Sequence, residues 1–240
     1  MKKALLISLV AGGGLVVSAL IIAKPWITIR QAKPIMVKGY AETGVASDSG
    51  SLSATVVETG TSNAEAYLAA GKSLEQVKTI AAKVLGANLE MVELKTTVSE
   101  TRKLDEQGKK TNEVDFYVVT RRIRINSGDV QGLEKLGRAL FDLNGEGLRI
   151  SVSGPDFFVS DLDRIKLELI EKATQNGKER ARLMADSSGE KLGSLVSARQ
   201  GVIQITKKNS AETSSWGVYD TETIDKVVKL VVTLEYEISK

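Results

Sequence analysis

The 240 residues contain no cysteine and no histidine. Disulfides, thiolate and imidazole metal sites, cysteine nucleophiles and any Ser-His-Asp relay are therefore excluded. Side-chain chemistry is limited to carboxylates, lysine and tyrosine, and no cofactor is expected. A chain without cysteine is also compatible with an oxidising compartment.

A second absence lies at the amino terminus. Residues 1–34 hold five of the 33 Lys and Arg and none of the 30 Asp and Glu, which leaves 28 against 30 for the rest. The body is slightly acidic, and the alkaline balance belongs to the amino-terminal arm. Nucleic acid, whose phosphates call for a basic face, is not expected as a partner.

The third absence is charge between Lys3 and Lys24. Ala4 to Ala23 is uncharged, with Leu5, Leu9, Leu15, Leu20 and Ile22 among its apolar residues. Its length matches a bilayer's hydrocarbon core at helical rise, so 1–34 reads as a single-pass membrane anchor and tether, with the lipid bilayer as partner. Gly12-Gly13-Gly14 weakens this helix in water but is tolerated in lipid. A cleavable signal peptide competes, with Val17-Ser18-Ala19 as its best processing site, whereas Ile21-Ile22-Ala23 does not suit cleavage. The expected location is the inner, cytoplasmic membrane, with the body in the periplasm or extracytoplasmic space. Ser8 with Gly12, and Gly14 with Ser18, have a spacing that lets membrane helices approach closely.

Beyond the tether, Ile35–Tyr40 and Leu52–Val57 read as strands able to form a hairpin across Gly44–Gly50. Ser62 and Glu65 have capping-box spacing ahead of a helix with Tyr67, Ala70, Leu74, Val77, Ala81 and Val84 on one side, ending near Gly86. A strand at 92–98 and another through Val114–Ile125 form a long hairpin with a charged loop at 101–112. Leu133, Leu136, Leu140 and Leu143 mark a second helix, and Leu148–Val152 is a short strand closed by Gly154-Pro155. The longest helix runs from Ser160 to Ser188 and stops at Gly189. Strands at 196–205 and 227–238 complete an α+β body of two layers.

Within the longest helix, Ala173, Gly177, Ala181 and Ala185 recur every fourth residue, a stripe over which another backbone can pack tightly. With Gly189-Glu190-Lys191-Leu192-Gly193 after it, Val37-Lys38-Gly39-Tyr40 early on and the alternating last strand, this order of elements resembles the SIMPL-domain family of bacterial cell-envelope proteins. That family includes a periplasmic immunogen and proteins linked to oxidative-stress defence. The resemblance spans about residues 35–240. It implies an outer α+β domain, 35–90 plus 157–240, with a smaller α+β domain inserted at 91–156, and assembly into large homo-oligomeric rings or barrels. It supplies no catalytic residue.

Four features invite functional readings. Gly71-Lys72-Ser73 resembles the end of a phosphate-binding loop, but Ala66 stands where glycine is needed and the segment is helical. Asp156, Asp161 and Asp163 form the densest acidic group, and first-turn helix residues explain the last two more simply than a hard cation does. Arg122 and Arg124 share a strand face, either solvated or set against anionic lipid or an acidic subunit edge. Trp216 and Tyr219 stand in the polar segment 207–225, where they dock on a neighbour or pack over the protein's own sheet edge. The leading functional expectation is a non-enzymatic, self-assembling, membrane-anchored envelope protein with a scaffold or stress-protective role. A regulatory module docking on another membrane protein comes second, and a carboxylate-dependent hydrolase, which would need paired acids in a cleft, last.

Overall fold

The computed structural model describes residues 33–239 together with Ser18. The expected anchor lies outside the described residues, as does its Ser8–Gly12 pair. Among the described residues no helix is long and apolar enough to cross a membrane.

The elements of 33–239 are β1 (Lys33–Ala46), β2 (Ser49–Gly60), α1 (Asn63–Leu85), β3 (Leu89–Leu104), β4 (Lys110–Ser127), α2 (Val130–Asp142), a 3-10 turn (Leu143–Glu146), β5 (Ile150–Phe158), α3 (Leu162–Ser187), β6 (Lys191–Gln200), β7 (Gln204–Lys207) and β8 (Asp225–Ser239). The class is α+β, with two four-stranded sheets. One has the order β1-β8-β6 with β7 also on β8, and the other the order β3-β4-β2-β5.

The expected β1–β2 hairpin does not form. β2 is an inner strand with β4 on one edge, from Gly50↔Ser127 to Gly60↔Tyr117, and β5 on the other, so neither edge is left for β1. The β3–β4 hairpin is present and longer than expected, because pairing continues to Leu104↔Lys110 and leaves a tight turn where Asp105 accepts from the Gln107 and Lys109 N–H groups.

The chain divides into two compact units. The first comprises the described parts of Met1–Glu42, Lys166–Ile203 and Lys229–Lys240; the second comprises Thr43–Ile165 and Gln204–Val228. The expected division grouped 35–90 with 157–240 and set 91–156 apart. In the structure β2 and α1 instead share one core with β4 and α2, which draws 49–85 into the same unit as 91–156.

In the second unit that core is built from alternation on strands and from three-and-four spacing on helices. Leu52, Ala54 and Val56 of β2 and Ile123 and Ile125 of β4 face Leu74, Val77 and Ala81 of α1 and Leu133, Leu136 and Leu140 of α2, all buried. Burial of one such aliphatic side chain is worth about 1.5–3 kcal/mol, so the leucine stripe of α2 alone fixes that helix on the sheet. Both helices therefore cover one face and leave the other uncovered by them. α1 starts at the expected cap: Ser62 Oγ accepts the Glu65 N–H at 3.2 Å, while Glu65 Oε2 reaches back to the residue before the cap, taking the Thr61 N–H at 2.8 Å and hydroxyl at 2.7 Å. Its buried stripe begins at Ala66 and ends at Leu85, one residue away from the expected Tyr67 and Val84 at either end. The phase follows 3.6 residues per turn, which carries Tyr67 out to solvent.

Three boundaries differ from expectation for local reasons. β5 runs on through Gly154-Pro155 because Phe157, buried in the core, brings the chain back onto β2 after a register shift between Ser51 and Ser53. α3 begins at Leu162, not Ser160, since the Ser160 N–H and hydroxyl both donate to Asp48 Oδ1, at 2.9 and 2.8 Å. The strand expected at 196–205 is two strands, β6 and β7, separated at Gly201, whose N–H donates to Val231 O at 2.8 Å.

In the first unit α3 packs through its small-residue stripe. Ala173, Ala181 and Ala185 are fully buried and Gly177 is buried with them. A methyl group placed on Gly39 of β1 would lie 2.0 Å from Ala173 O and 2.9 Å from Gly177 Cα. At this crossing Asn176 Oδ1 accepts the Tyr40 N–H at 3.0 Å and Arg180 Nη1 donates to Lys38 O at 2.7 Å. The helix thus satisfies backbone groups on the edge strand β1, which would otherwise be a template for foreign strands. On β8 the phase Val228, Leu230, Val232, Leu234 and Tyr236 is buried as the alternation predicts.

Gly39→Ala is expected to destabilise the fold by about 1–3 kcal/mol or more, the cost of forcing volume into a packed site. Gly44→Ala, where nothing lies within 4 Å, is expected to change little. Denaturant unfolding of both variants checks the contrast.

Candidate interaction surface

The uncovered face of the sheet in the second unit carries the arginines singled out by sequence. Antiparallel register places Arg122 opposite Thr55 and Lys95, and Arg124 opposite Ser53 and Val92. Side chains alternate across a sheet, so these residues share the face away from α1 and α2, with Ser51, Val57, Thr97, Ser99, Val118, Thr120, Ser151 and Ser153 around them. Arg122 and Arg124 are exposed, and Arg122 Nε donates to Thr55 Oγ1 at 3.1 Å. Among the described residues no carboxylate is ion-paired with Arg122, Arg124 or Lys95.

Arg121 points the other way. Its Nη2 lies 2.7 Å from Glu93 Oε2, its guanidinium sits 5.6 Å from the Tyr67 ring centre, and Glu93 also holds Lys78 at 2.9 Å. Hydrogen bonds from Lys78 and Arg121 hold the Glu93 carboxyl below its ordinary range, and those to Glu75 and Glu93 raise Lys78. This cluster ties α1 to β3 and β4. Strand alternation, which puts Arg122 and Arg124 on one face in the sequence, turns Arg121 to the opposite face.

The remaining expected sites resolve individually. Gly71-Lys72-Ser73 lies inside α1, where Ser73 Oγ donates to Glu58 Oε1 at 2.6 Å. Asp156 accepts from Thr221 Oγ1 at 2.9 Å, and Asp161 pairs with Arg164 at 2.5 Å. Among the described residues no three carboxylates converge as a metal site would require. Apolar and polar residues of α1, from Tyr67 to Ile80, line a depression of about 730 Å³ that also touches Arg121 and Leu143. It is lined by one side of α1 with Arg121, Leu143 and Glu146 and lies open to solvent, so it is a surface hollow and not an enclosed cavity.

In the segment after β7, Trp216 is 94% exposed and Tyr219 about half exposed. The expectation that these aromatics cover the protein's own sheet edge holds only in part. Tyr219 bridges to Ile205 of β7, whereas the Trp216 ring is left in solvent because Gln204, bonded to the Ser214 carbonyl and to the Ser214 and Val218 N–H groups, holds the backbone around it.

The same segment is fastened by a pair that sequence reasoning missed. Lys226 is 2% exposed; its ammonium donates to Thr223 O and lies 3.6 Å from Asp220 Oδ2. Burial pushes the Lys226 pKa down against the pull of Asp220. Burial raises Asp220, but hydrogen bonds from the Thr223 hydroxyl and the Glu222 N–H, with the Lys226 charge, hold it below the ordinary 3.8. The available signal was phase: Lys226 lies two residues before Val228, on the buried side of β8.

Because the folded pKa of Asp220 is depressed, its contribution is complete above the unfolded value and disappears as pH falls through the folded value. Asp220→Asn is therefore expected to flatten the loss of stability below pH about 4. Asp220→Ala, which strands a buried ammonium, is expected to cost about 3–5 kcal/mol at neutral pH. Unfolding followed at stepped pH values measures both.

No curated protein matches this sequence. Among solved structures, a hydantoinase/carbamoylase family amidase from Burkholderia ambifaria is similar over 46% of this chain and 30% of its own, at 13% identity and a TM-score of 0.32. The regulatory subunit of aspartate kinase from Thermus flavus is similar over 83% and 89% at 9% identity and a TM-score of 0.23. The chain spans less than a third of the amidase's length. Likenesses this weak carry no argument about activity. The SIMPL family model, described as a protein of unknown function (DUF541), matches residues 35–229. With the stripe of α3 and the glycine crossing of β1 both inside the matched region, the chain belongs to the SIMPL family.

Proposed function

We propose that this SIMPL-family chain is a non-enzymatic protein held in the inner membrane by a single amino-terminal span, with its body outside the cytoplasm, and that it assembles with copies of itself into a ring or barrel acting as a scaffold or stress-protective element. The observation that carries the reading is the uncharged run Ala4–Ala23, bounded by Lys3 and Lys24, ahead of a folded body with neither cysteine nor histidine. A run of that length is retained in lipid, and a ring of such chains sums many single spans into firm attachment. The small-residue stripe of α3 is already used inside the fold, so assembly draws on other surfaces.

Purified in mild detergent, the full chain is expected to have the mass of several subunits and to begin at or near Met1. In membrane preparations it is expected to resist carbonate extraction. A monomer starting after Ala19 and recovered without membranes would overturn the proposal. The exposed Trp216 favours one second reading, a regulatory module docking on another membrane protein. In that case Trp216→Ala with Tyr219→Ala abolishes co-purification of a stoichiometric partner while self-association is unchanged.

A further inference from the structure

The second unit carries two surfaces of opposite charge on different sides of one layer pair. The first is the helix-free sheet face with Arg122, Arg124 and Lys95. Arg122 and Arg124 are two residues apart on one strand and therefore about 7 Å apart along it. Among the described residues register places two carboxylates on this face: Glu90, which accepts from Asn126 Nδ2 at 3.0 Å, and, at its β5 edge, Asp156 opposite Ser51, which accepts from Thr221 Oγ1 at 2.9 Å. Half-buried Val57 and Val118 lie on the same face.

The second surface is a groove of about 810 Å³ between the outer flank of α2 and the edge strand β5. Glu134, Asp142, Asp156 and Glu222 line it against a single base, Arg138. Phe141 stands among these acids, 67% exposed. Its position follows from helix phase: the buried stripe of α2 is Leu133, Leu136 and Leu140, which turns Glu134, Phe141 and Asp142 outward. An aromatic anchor inside a charged rim is the usual composition of an association surface. β5 is exposed beside it, because it ends the sheet order and its Val152 N–H and C=O, on the side away from β2, have no partner among the described residues.

We infer that the acidic α2 flank of one copy, led by Phe141, docks on the arginine-bearing sheet face of a second copy. The contact joins two different surfaces, so each subunit keeps one of each free for the next neighbour, and repetition closes into a ring wherever the rotation permits. It rests on the self-assembly reading above and specifies its geometry as head-to-tail. Charge complementarity favours a second copy over an anionic membrane as the occupant. The body as a whole is slightly acidic and is repelled by an anionic bilayer, whereas the α2 flank presents its acids locally on the same molecule.

Charge reversal tests it in the full chain in detergent. The variant R122E/R124E leaves two acidic surfaces, and E134K/D142K leaves two basic ones. Each alone is expected to fall to the mass of one subunit with an unchanged circular dichroism spectrum, and a mixture of the two is expected to regain the wild-type mass. The fourfold variant, with both signs exchanged, is expected to assemble alone. Raising salt to about 0.5 M is expected to weaken assembly of the wild type at least about tenfold, as screened charges require. A monomeric wild type overturns the self-assembly reading and the docking with it. A wild type that assembles while both double variants keep its mass overturns the docking alone, as does a mixture that fails to reassemble.

Discussion

The crossing of α3 over β1 at Gly39 and Gly177 is the tightest constraint in the first unit. A methyl group on Gly39 would run into the Ala173 carbonyl at 2.0 Å, and one on Gly177 would displace the Leu234 side-chain tip of β8 and crowd the Gly39 backbone at 3.2 Å. Close approach is what allows Asn176 and Arg180, on the helix, to reach the backbone of Lys38 and Tyr40. One pair of glycines therefore serves two purposes. It seats the helix against the sheet, and it ties off an edge strand whose free N–H and C=O groups would otherwise invite pairing.

The second unit handles its edges differently. β3 is a sixteen-residue edge strand exposed along most of its length, with Met91, Val92, Leu94 and Val98 partly in solvent. Glu90, Glu93, Lys95, Glu100, Arg102 and Lys103 are spread along it, and charge at this density opposes edge-to-edge pairing. The other edge, β5, is covered at one end by the segment that Lys226 and Asp220 fasten, where the Phe157 N–H donates to Thr221 O at 2.8 Å. Between these guarded edges the helix-free face is the part of the sheet that the unit itself does not use. Association through a face, not an edge, keeps geometry under side-chain control, because a face contact lacks the register freedom of a strand pair.

Periodicity carried most of the fold. The leucines of α2, the alternation of β8 and the Ser62 cap of α1 each act within one element, and each holds in the structure. What failed were decisions about which elements meet. Gly44–Gly50 looks like a hairpin turn, but whether β1 pairs with β2 depends on how many partners β2 can take, a property of the whole sheet. The same lack displaced the unit boundary, since β2 and α1 carry no mark of belonging with β4 until the shared core of Leu52, Leu74 and Ile123 is seen. Of the candidate surfaces, Arg122 and Arg124 were legible because alternation fixes their face. Lys226 was missed because a lysine at a core phase reads as the end of a strand, and the α2 flank was missed because its acids belong to three separate segments.

Lack of histidine shapes how such surfaces respond to their surroundings. Only unperturbed imidazole changes charge between pH 5 and 8, and the chain has none. Among the described groups displaced from ordinary values, Asp48, Glu65, Glu93 and Asp220 move down while Lys78, Tyr40 and Tyr236 move up, Tyr40 to about 12, all away from neutrality. Lys226 alone moves toward neutral pH, its ammonium buried beneath its own segment beside Asp220 and within electrostatic reach of Asp156. The arginine face and the acidic flank take their charge from Arg, Lys, Asp and Glu side chains, with no imidazole on either. Attraction between surfaces of this kind falls with ionic strength and with spacing.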